Sequence, residues 1–203
     1  MADKIYLCSS SPRRRELLAL TGLEFEVMPL EGIEEDAFLH SCQGDVVERA
    51  EKLALKKMEV ALGLGIPGIF ITADTLVISD DGAVLGKPAT AKEAEVFLDR
   101  LAGNWHTVAT GVALGKLPQV GGKPLVDSVL EVTRVKFAPM SLDEIRDYIA
   151  TGEPFDKAGG YGIQGRASIY IERIEGDYFN VVGFPLHAFW KMWKRFSQRA
   201  GIE

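Results

Sequence analysis

The stretch that most limits the fold of this chain is residues 69–78, which read IFITADTLVI. Apolar and β-branched residues dominate the run, and Pro67 and Gly68 precede it, so the pattern predicts a buried strand. Residues 79–82 (SDDG) then predict a turn, and residues 83–88 (AVLGKP) predict the returning strand. The chain is therefore expected to contain a hairpin whose first strand lies in the core.

Asp74 places a carboxylate inside this apolar strand. A carboxylate among such neighbours is costly unless it is paired, hydrogen-bonded or bound to a metal. A two-residue turn at residues 81–82 would place Lys87 opposite Leu76, so that Lys87 and Asp74 become diagonal neighbours on one face. Another loop length would put them on opposite faces. The ordinary alternative for Asp74 is an aspartate at a strand end that faces solvent.

The rest of the chain alternates between helical and strand patterns without strict βαβ order, which predicts an α/β domain with a mixed sheet. No repeat or linker divides it, so we expect a single domain over residues 1–203. The predicted strands are 4–9, 24–30, 105–117 and 127–137, the last two joined by a Gly/Pro turn, and a hairpin at 167–183 around Glu175 and Gly176. The predicted helices are 11–22, 45–62, 89–103, 141–154 with a Ser141–Glu144 capping box, and a last helix with an aromatic stripe over 186–196, whereas 32–45 is expected to be loop.

The first predicted helix has an unusual charge pattern. Ser11 is suited to cap it and Pro12 to occupy its first position. Residues 13–15 are all arginine and fall in the first turn, where the helix dipole is already positive and acidic side chains are preferred. Three arginines there indicate that a negatively charged group binds nearby.

Composition limits the kind of anion that this site can serve. The net charge is −6, which argues against a broad nucleic-acid surface, so any anion site must be local. No apolar run approaches the length of a membrane span, and the first apolar stretch is too short for a signal peptide. Cys8 and Cys42 are therefore expected to be reduced thiols in a cytoplasmic protein, without a membrane partner. The three histidines are scattered and show no zinc spacing.

Familiar nucleotide and hydrolase motifs do not fit this chain. Residues 63–68 and 160–165 match G-x-G-x-x-G, but neither follows a strand and opens a helix. No G-x-S-x-G elbow is present, so covalent hydrolase chemistry is disfavoured. Two other polar clusters have an ordinary interpretation, residues 34–36 (EED) as a solvated acidic loop and Lys56 with Lys57 as a helix end that the dipole favours. A third cluster is the glycine-rich segment 153–165 with Asp156, Lys157 and Gln164, where glycines let backbone N–H groups approach a ligand closely. Together with the arginines they supply the groups that metal-assisted phosphoryl chemistry needs.

Several motifs resemble the Maf family in order and spacing: SSSPRRRELL, TADTLV with LGKP, ATGVAL, and GEPFDKAGGYGIQG with GDYFNVVGFPL. The resemblance covers nearly the whole chain. It implies a pyrophosphatase that splits nucleoside triphosphates into monophosphate and pyrophosphate with a divalent cation, Mg²⁺ or Mn²⁺. It also implies a mixed, twisted sheet with flanking helices and two lobes around a deep cleft. Many members are dimers, so a homodimer is one expected assembly.

The resemblance also implies roles for individual residues. Asp74 matches the proton acceptor that activates water and also a metal ligand, and Glu35 matches the family's other acidic residue, a second metal ligand. Lys57 and Lys87 match its catalytic lysines. The residues that match its phosphate-binding loop are Ser9, Arg13 and Arg14. This assignment explains the positive helix end, where arginines and backbone N–H groups would hold a triphosphate.

The expected base preference follows from Arg13, Thr75 and Gln164, which match the subfamily that prefers dTTP and UTP. A glutamine amide offers both a donor and an acceptor and can pair with a pyrimidine edge. The chain departs from the commoner pattern at Cys8, Gly160 and Phe184, and Gly160 borders the segment that would read the base, where it could loosen specificity.

Three alternatives stay open at this point. The family was named for an effect on septum formation, so a non-enzymatic, partner-binding regulator is one of them. A phosphotransferase that uses the same metal site with another acceptor is the second. The third is a pyrophosphatase whose physiological substrate is a modified nucleotide.

Overall fold

The computed structural model describes residues 3–118 and 123–202, without the side chain of Asp36, which belonged to the predicted acidic loop. The Gly/Pro turn predicted between the two long strands falls largely on residues 119–122 and lies outside the described residues. Within the described part, the strands are β1 Ile5–Leu7, β2 Glu26–Val27, β3 Ile69–Ser79, β4 Val84–Leu85, β5 Trp105–Lys116, β6 Leu125–Phe137 and β7 Ile171–Glu175. The helices are α1 Pro12–Ala19, α2 Glu35–Ser41, α3 Glu48–Gly63, α4 Ala91–Leu101, α5 Leu142–Ile149, α6 Tyr178–Val182 and α7 Leu186–Ala200.

These strands form one mixed sheet in the order β2-β1-β3-β5-β6-β7, with β4 paired to β3 beside this path. β1 runs parallel to β2 and β3, whereas the β3–β4 and β6–β7 pairs are antiparallel. The α/β class with a mixed sheet and flanking helices is thus confirmed. No helix in the described ranges is both long and apolar enough to cross a membrane.

The chain divides into two compact units, which are described separately below. The first unit contains the chain up to Asp74, residues Thr110–Glu131, and the chain from Gly183 onward. The second unit contains Thr75–Ala109 and Val132–Val182.

In the first unit, helix α3 packs very closely against the sheet. Its small residues Ala54 and Ala61 are fully buried together with Phe70. A side chain at Gly111 of β5 would begin 2.5 Å from the carbonyl oxygen of Ala50, so glycine is needed there for the helix to lie this close. This packing fixes the position of every side chain on the inner face of α3.

In the second unit, α4 and α5 cover the sheet with a continuous apolar core. Its helical members are Ala94, Leu98, Leu101, Ile145, Tyr148 and Ile149. This core also contains an aromatic cluster. In it, His106 Nε2 lies 2.8 Å from Tyr161 Oη, and both rings pack edge-on against Phe137. Burial lowers the pKa of His106 to about 3, so this histidine is neutral and structural.

The predicted helix starts are confirmed where a side-chain cap was recognised. Ser11 caps α1 and accepts a hydrogen bond from the backbone of Arg14, with Pro12 in the first turn. Ser141 and Glu144 form the expected capping box of α5. The apolar stripe of α7 is core, as the ordinary reading of its aromatic residues predicts, because Phe189 and Phe196 are fully buried.

The prediction of a loop over residues 32–45 is wrong, because Glu35–Ser41 form helix α2. The helix has no side-chain cap, and its first backbone bond runs from Phe38 N to Glu34 O. The polar composition of the segment concealed it, since Phe38 and Leu39 are the only large apolar residues of the helix and both are half-buried. This helix fixes the position of Glu35, which is its first residue.

The hairpin predicted at 167–183 is also wrong. Residues Arg166–Tyr170 form a 3₁₀ turn, β7 follows, and the residues after Gly176 form helix α6 instead of a returning strand. β7 pairs instead with β6, for example Val135 with Ile174. Thr133 Oγ1 both accepts from Asp177 N at 3.0 Å and donates to Asp177 O at 3.1 Å, which directs the chain away from a hairpin.

The predicted hairpin of β3 and β4 is confirmed, and of the two loop lengths left open it does not have the two-residue turn at residues 81–82. Val77 pairs with Leu85 and Ile78 with Val84, so the loop contains three residues rather than two. The side chain of Ser79 sets this loop, since its Oγ donates to Asp81 at 2.5 Å and lies 3.1 Å from the carbonyl oxygen of Ala83. Strand β4 ends at Leu85, so Lys87 does not pair opposite Leu76.

Candidate active site

The first turn of α1 and the loop before it form a concentrated positive site in the first unit. Ser9 is buried, and its Oγ accepts from the backbone of Ser11 at 3.2 Å and from Arg14 at 3.4 Å. The Arg14 guanidinium also donates to the carbonyl oxygens of Ala73 at 2.9 Å and Gly183 at 3.0 Å. No acidic residue offsets the charge in this turn. The end of the helix is therefore arranged to face an anion.

Lys57 joins the two carboxylates that the sequence singled out. Its ammonium Nζ lies 2.6 Å from Asp74 Oδ1 and 2.7 Å from Glu35 Oε1. Lys57 and Asp74 are only 8% and 7% exposed, whereas half of the Glu35 side chain is open to solvent. This arrangement pairs the buried carboxylate of β3, as its apolar surroundings require.

The position of Lys57 follows from the helical period of α3. The buried face of this helix consists of Ala50, Leu53, Ala54, Lys57, Met58 and Ala61. Lys57 thus lies on the inner face of α3 among apolar residues. The ordinary interpretation of Lys57 as part of an exposed helix end is wrong, because the helix continues to Gly63. Lys56, in contrast, is exposed and pairs with Glu59 at 2.9 Å.

Burial governs the protonation of the central groups. It raises the pKa of Asp74 above its ordinary value, and the charges of Lys57 and Arg14 oppose that rise. Burial also lowers the pKa of the Arg14 guanidinium, which Asp74 and Glu35 oppose in turn. A carboxylate with a raised pKa, next to cations that hold it in place, is suited to accept a proton near neutral pH.

The structure brings five of the predicted site residues together in the first unit: Ser9, Arg14, Glu35, Lys57 and Asp74. Arg13 belongs to the same first turn of α1 and is half-buried. Sequence reasoning did not find the carbonyl groups of Ala73 and Gly183 that hold Arg14. Backbone groups leave no residue-type signal, so nothing in the sequence points to them.

The other three predicted residues, Thr75, Lys87 and Gln164, belong to the second unit. Thr75 is half-buried in β3, and Lys87 and Gln164 are exposed. The segment that carries Gln164 is fastened to the end of β4, because Gly159 N donates to Gly86 O at 2.9 Å.

The carboxylate pair of the first unit fits a small hard cation. Asp74 and Glu35 share one ammonium partner, and carboxylate oxygens are the ligands that Mg²⁺ and Mn²⁺ prefer. In residues 3–118 and 123–202 no three His, Cys, Asp or Glu side chains gather as a metal-binding group. Two carboxylates without a full cage match magnesium sites in which substrate phosphates complete the coordination.

The family follows from comparison with known sequences: the chain belongs to the Maf family, since residues 4–196 match its model, described as Maf-like protein. It is 48% identical over 196 residues to the dTTP/UTP pyrophosphatase of Symbiobacterium thermophilum, covering 96% of this chain and 95% of that protein. The dTTP/UTP pyrophosphatase of Carboxydothermus hydrogenoformans is 46% identical over 183 residues, covering 90% and 93%. The protein of the same name in Thermosipho africanus is 44% identical over 193 residues, covering 95% and 93%. These findings confirm the resemblance seen in the motifs.

Proposed function

We propose that this protein is a nucleoside triphosphate pyrophosphatase that prefers dTTP and UTP and releases the nucleoside monophosphate and pyrophosphate. Full-length relatives at 44–48% identity carry the name dTTP/UTP pyrophosphatase. The observation that carries the proposal is the buried Lys57 between Asp74 and Glu35, beside the positive end of α1. This set can hold a polyphosphate and supply a base without any covalent nucleophile.

In this proposal the end of α1 holds the phosphate chain. Arg13, Arg14, the Ser9 hydroxyl and the backbone N–H groups of the first turn offer donors to phosphate oxygens. Arg14 needs no rearrangement of its own, because Ala73 and Gly183 already fix its guanidinium. Such preorganised donors stabilise charge that grows on the phosphates during the reaction.

Asp74 is the general base. It takes a proton from water as the water oxygen forms a bond to the α-phosphorus. The bond between that phosphorus and the oxygen leading to the β-phosphorus breaks, and pyrophosphate departs with the electron pair. Lys57 holds Asp74 Oδ1 in place during proton transfer. Lys87 is kept in the proposal as the second catalytic lysine that the family resemblance implies.

Asp74 and Glu35 are also the residues that would bind a divalent cation, Mg²⁺ or Mn²⁺. Such an ion, when bound, would neutralise charge on the triphosphate oxygens. The partial exposure of Glu35 leaves that carboxylate open to an incoming metal–nucleotide complex.

Gln164 and Thr75 are proposed to select the base. Uracil and thymine present two carbonyls flanking one N–H, which a carboxamide and backbone amides can match. Cytosine replaces one acceptor by a donor, and the resulting unpaired group costs about 1–3 kcal/mol. The methyl group of thymine adds only an apolar contact, so both dTTP and UTP are accepted.

Further expectations from the sequence complete the proposal. The cytoplasm is the proposed location, where the free thiols of Cys8 and Cys42 stay reduced. The substrate is the expected partner, with neither nucleic acid nor membrane, and a homodimer is one option for assembly.

The decisive experiment is a panel of common NTPs and dNTPs, with separate detection of pyrophosphate and orthophosphate, with Mg²⁺, Mn²⁺ or EDTA. We expect pyrophosphate release, fastest with dTTP and UTP, that EDTA abolishes. Release of orthophosphate, or transfer to an acceptor other than water, would support a phosphotransferase. No turnover of any nucleotide, modified ones included, would support a regulator that acts by binding. Full activity after exhaustive chelation would show that the reaction needs no divalent cation.

A further inference from the structure

Gln164 is the third residue of a short turn in the second unit, closed by a hydrogen bond from Gly165 N to Gly162 O at 3.0 Å. The Gln164 side chain is exposed, while the preceding Ile163 is buried. A single backbone bond leaves such a turn with several accessible geometries. Other groups must therefore fix the direction of Gln164.

The carboxylate of Glu153 is linked by hydrogen bonds to the backbone on both sides of Gln164. Its Oε2 accepts from Arg166 N at 2.9 Å, directly after the turn. Its Oε1 accepts from Tyr148 Oη at 2.8 Å, and Tyr148 Oη in turn accepts from Gly162 N at 3.4 Å. Glu153 thus holds the residue after the turn directly and the first residue of the turn through the Tyr148 hydroxyl.

The glycine at position 165 is explained by the same carboxylate. Gly165 has φ −100° and ψ −158°, an extended conformation open to other residues. A Cβ atom there would nevertheless overlap the carboxylate group of Glu153. The side chain of Lys157 limits Gly162 in the same way, since a Cβ would lie 2.6 Å from Lys157 Cε. The backbone at Gly162 and Gly165 therefore lies too close to these two side chains to leave room for a Cβ atom.

The bond between Tyr148 and Glu153 is stable at neutral pH. Burial, reinforced by this bond, raises the pKa of Tyr148 far above its ordinary value. The phenol therefore stays protonated and donates to the carboxylate, while its oxygen remains an acceptor for the turn.

We propose that Glu153 is a positioning residue for base selectivity: it binds Arg166 N directly and Gly162 N through Tyr148, and so holds Gln164 in the direction that reads a uracil or thymine edge. The inference rests on the proposed function, since it assigns the selectivity of that site to a residue that does not touch the base. Glu153 acts only through the turn.

The test compares Glu153→Gln with Glu172→Gln, an exposed residue of β7 that undergoes the same charge change. A carboxamide cannot accept from both Tyr148 and Arg166 with its two ends, because one end is a donor. For Glu153→Gln we expect the ratio of kcat/KM for dTTP over dCTP to fall about tenfold. The loss should lie in KM for dTTP, with kcat roughly unchanged. Glu172→Gln should keep the wild-type ratio.

Amide hydrogen exchange supplies a readout independent of turnover. In Glu153→Gln, exchange at Gly162 and Arg166 should accelerate, while the core strand β3 keeps its wild-type protection. Tyr148→Phe should reproduce the faster exchange at Gly162 and part of the loss of selectivity. This second variant also decides the matter if Glu153→Gln does not fold.

A double-mutant cycle tests the overlap with Gly165. Gly165→Ala should reduce selectivity in the wild type but add little in a Glu153→Ala background, because the carboxylate that it displaces is then absent. Additive effects would contradict the assignment.

The two proposals fail in different ways. A wild type that favours dTTP over dCTP, together with an unchanged ratio in Glu153→Gln and Tyr148→Phe, overturns the role of Glu153 alone. A uniform loss for both nucleotides shows a merely structural role and also overturns it. A wild type that does not favour dTTP over dCTP overturns the base preference in the proposed function and this inference with it.

Discussion

The two units of the chain build their functional residues in different ways. In the first unit, Lys57 and Asp74 lie within a long helix and a long strand, both nearly fully buried. In the second unit, Gln164 lies in an exposed glycine-rich turn held by side-chain hydrogen bonds. The groups proposed for the chemistry thus sit on regular elements with paired charges, whereas the group proposed for base choice sits on a turn held by side chains. Catalysis and selectivity should therefore respond to different mutations.

The largest expected effect tests the regular region. Asp74→Asn should retain the fold and lower kcat by about 10²–10⁴-fold, because the amide cannot take the proton from water. Steady-state kinetics with dTTP, together with circular dichroism, measures this. Asp99→Asn, a change at an exposed position of α4, is the matched control and should have near wild-type activity. A folded Asp74→Asn with normal turnover would remove Asp74 from the mechanism.

The next effect concerns stability in the same region. Lys57→Met removes the cation from two carboxylates, one of them buried, and should lower the free energy of unfolding by about 3 kcal/mol. The loss is expected at the low end for a broken buried pair because the charge of Arg14 still stabilises Asp74 in part. Lys56→Met at the adjacent exposed position should change it by at most about 0.5 kcal/mol. Urea titration of both variants measures the difference. Equal values would show that the buried pair adds no stability.

A smaller effect is expected in the second unit. Gln164→Glu should reduce the preference for UTP over CTP by about 5- to 150-fold, because the carboxylate lacks the donor of the carboxamide. Its unfolding midpoint should equal that of wild type, as the side chain is exposed. Gln198→Glu on α7 serves as the control. An unchanged substrate ranking would show that Gln164 does not select the base, and it would weaken the division between catalysis in the first unit and selectivity in the second.

The smallest effect is the pH dependence of stability. Burial raises the pKa of Asp74 above 3.8, so the folded state binds its proton more tightly than the unfolded state. The contribution of Asp74 is then fully present below pH 3.8 and is lost as pH rises through the folded pKa. The unfolding free energy of wild type, taken relative to that of Asp74→Asn, should therefore decrease as the pH is raised from 3.8 through the pKa of Asp74 in the folded state. A difference that grows with pH would show that Lys57 and Arg14 dominate over burial.

Sequence patterns predicted the regular region well. The apolar run identified β3 and made Asp74 conspicuous, and Ser11 and Ser141 marked two helix starts. Each of these signals is local, since a strand period or a cap depends on residues a few positions apart. The family motifs then added Glu35 and Lys57, and the structure places Lys57 against both Asp74 and Glu35.

What could not be predicted depends on contacts between distant residues. The register of β4 follows from the hydrogen bonds of the Ser79 hydroxyl, and the path after β7 follows from Thr133. The role of Glu153 arises because Tyr148 and Arg166 meet it in space. Residue type alone carries no information about such partners, so the sequence could not predict the hydrogen bonds of Glu153 on either side of Gln164.

The bond from Arg14 to the carbonyl oxygen of Gly183 joins residues 169 positions apart. During synthesis the chain emerges from its N-terminus, so Arg14 cannot make this bond until residue 183 has been translated. A nascent chain that ends before Gly183 lacks one of the two carbonyls that orient the guanidinium. The pair of carbonyl groups that orients Arg14 is thus complete only after Gly183 has emerged, although helix α1 itself is among the first elements to be made.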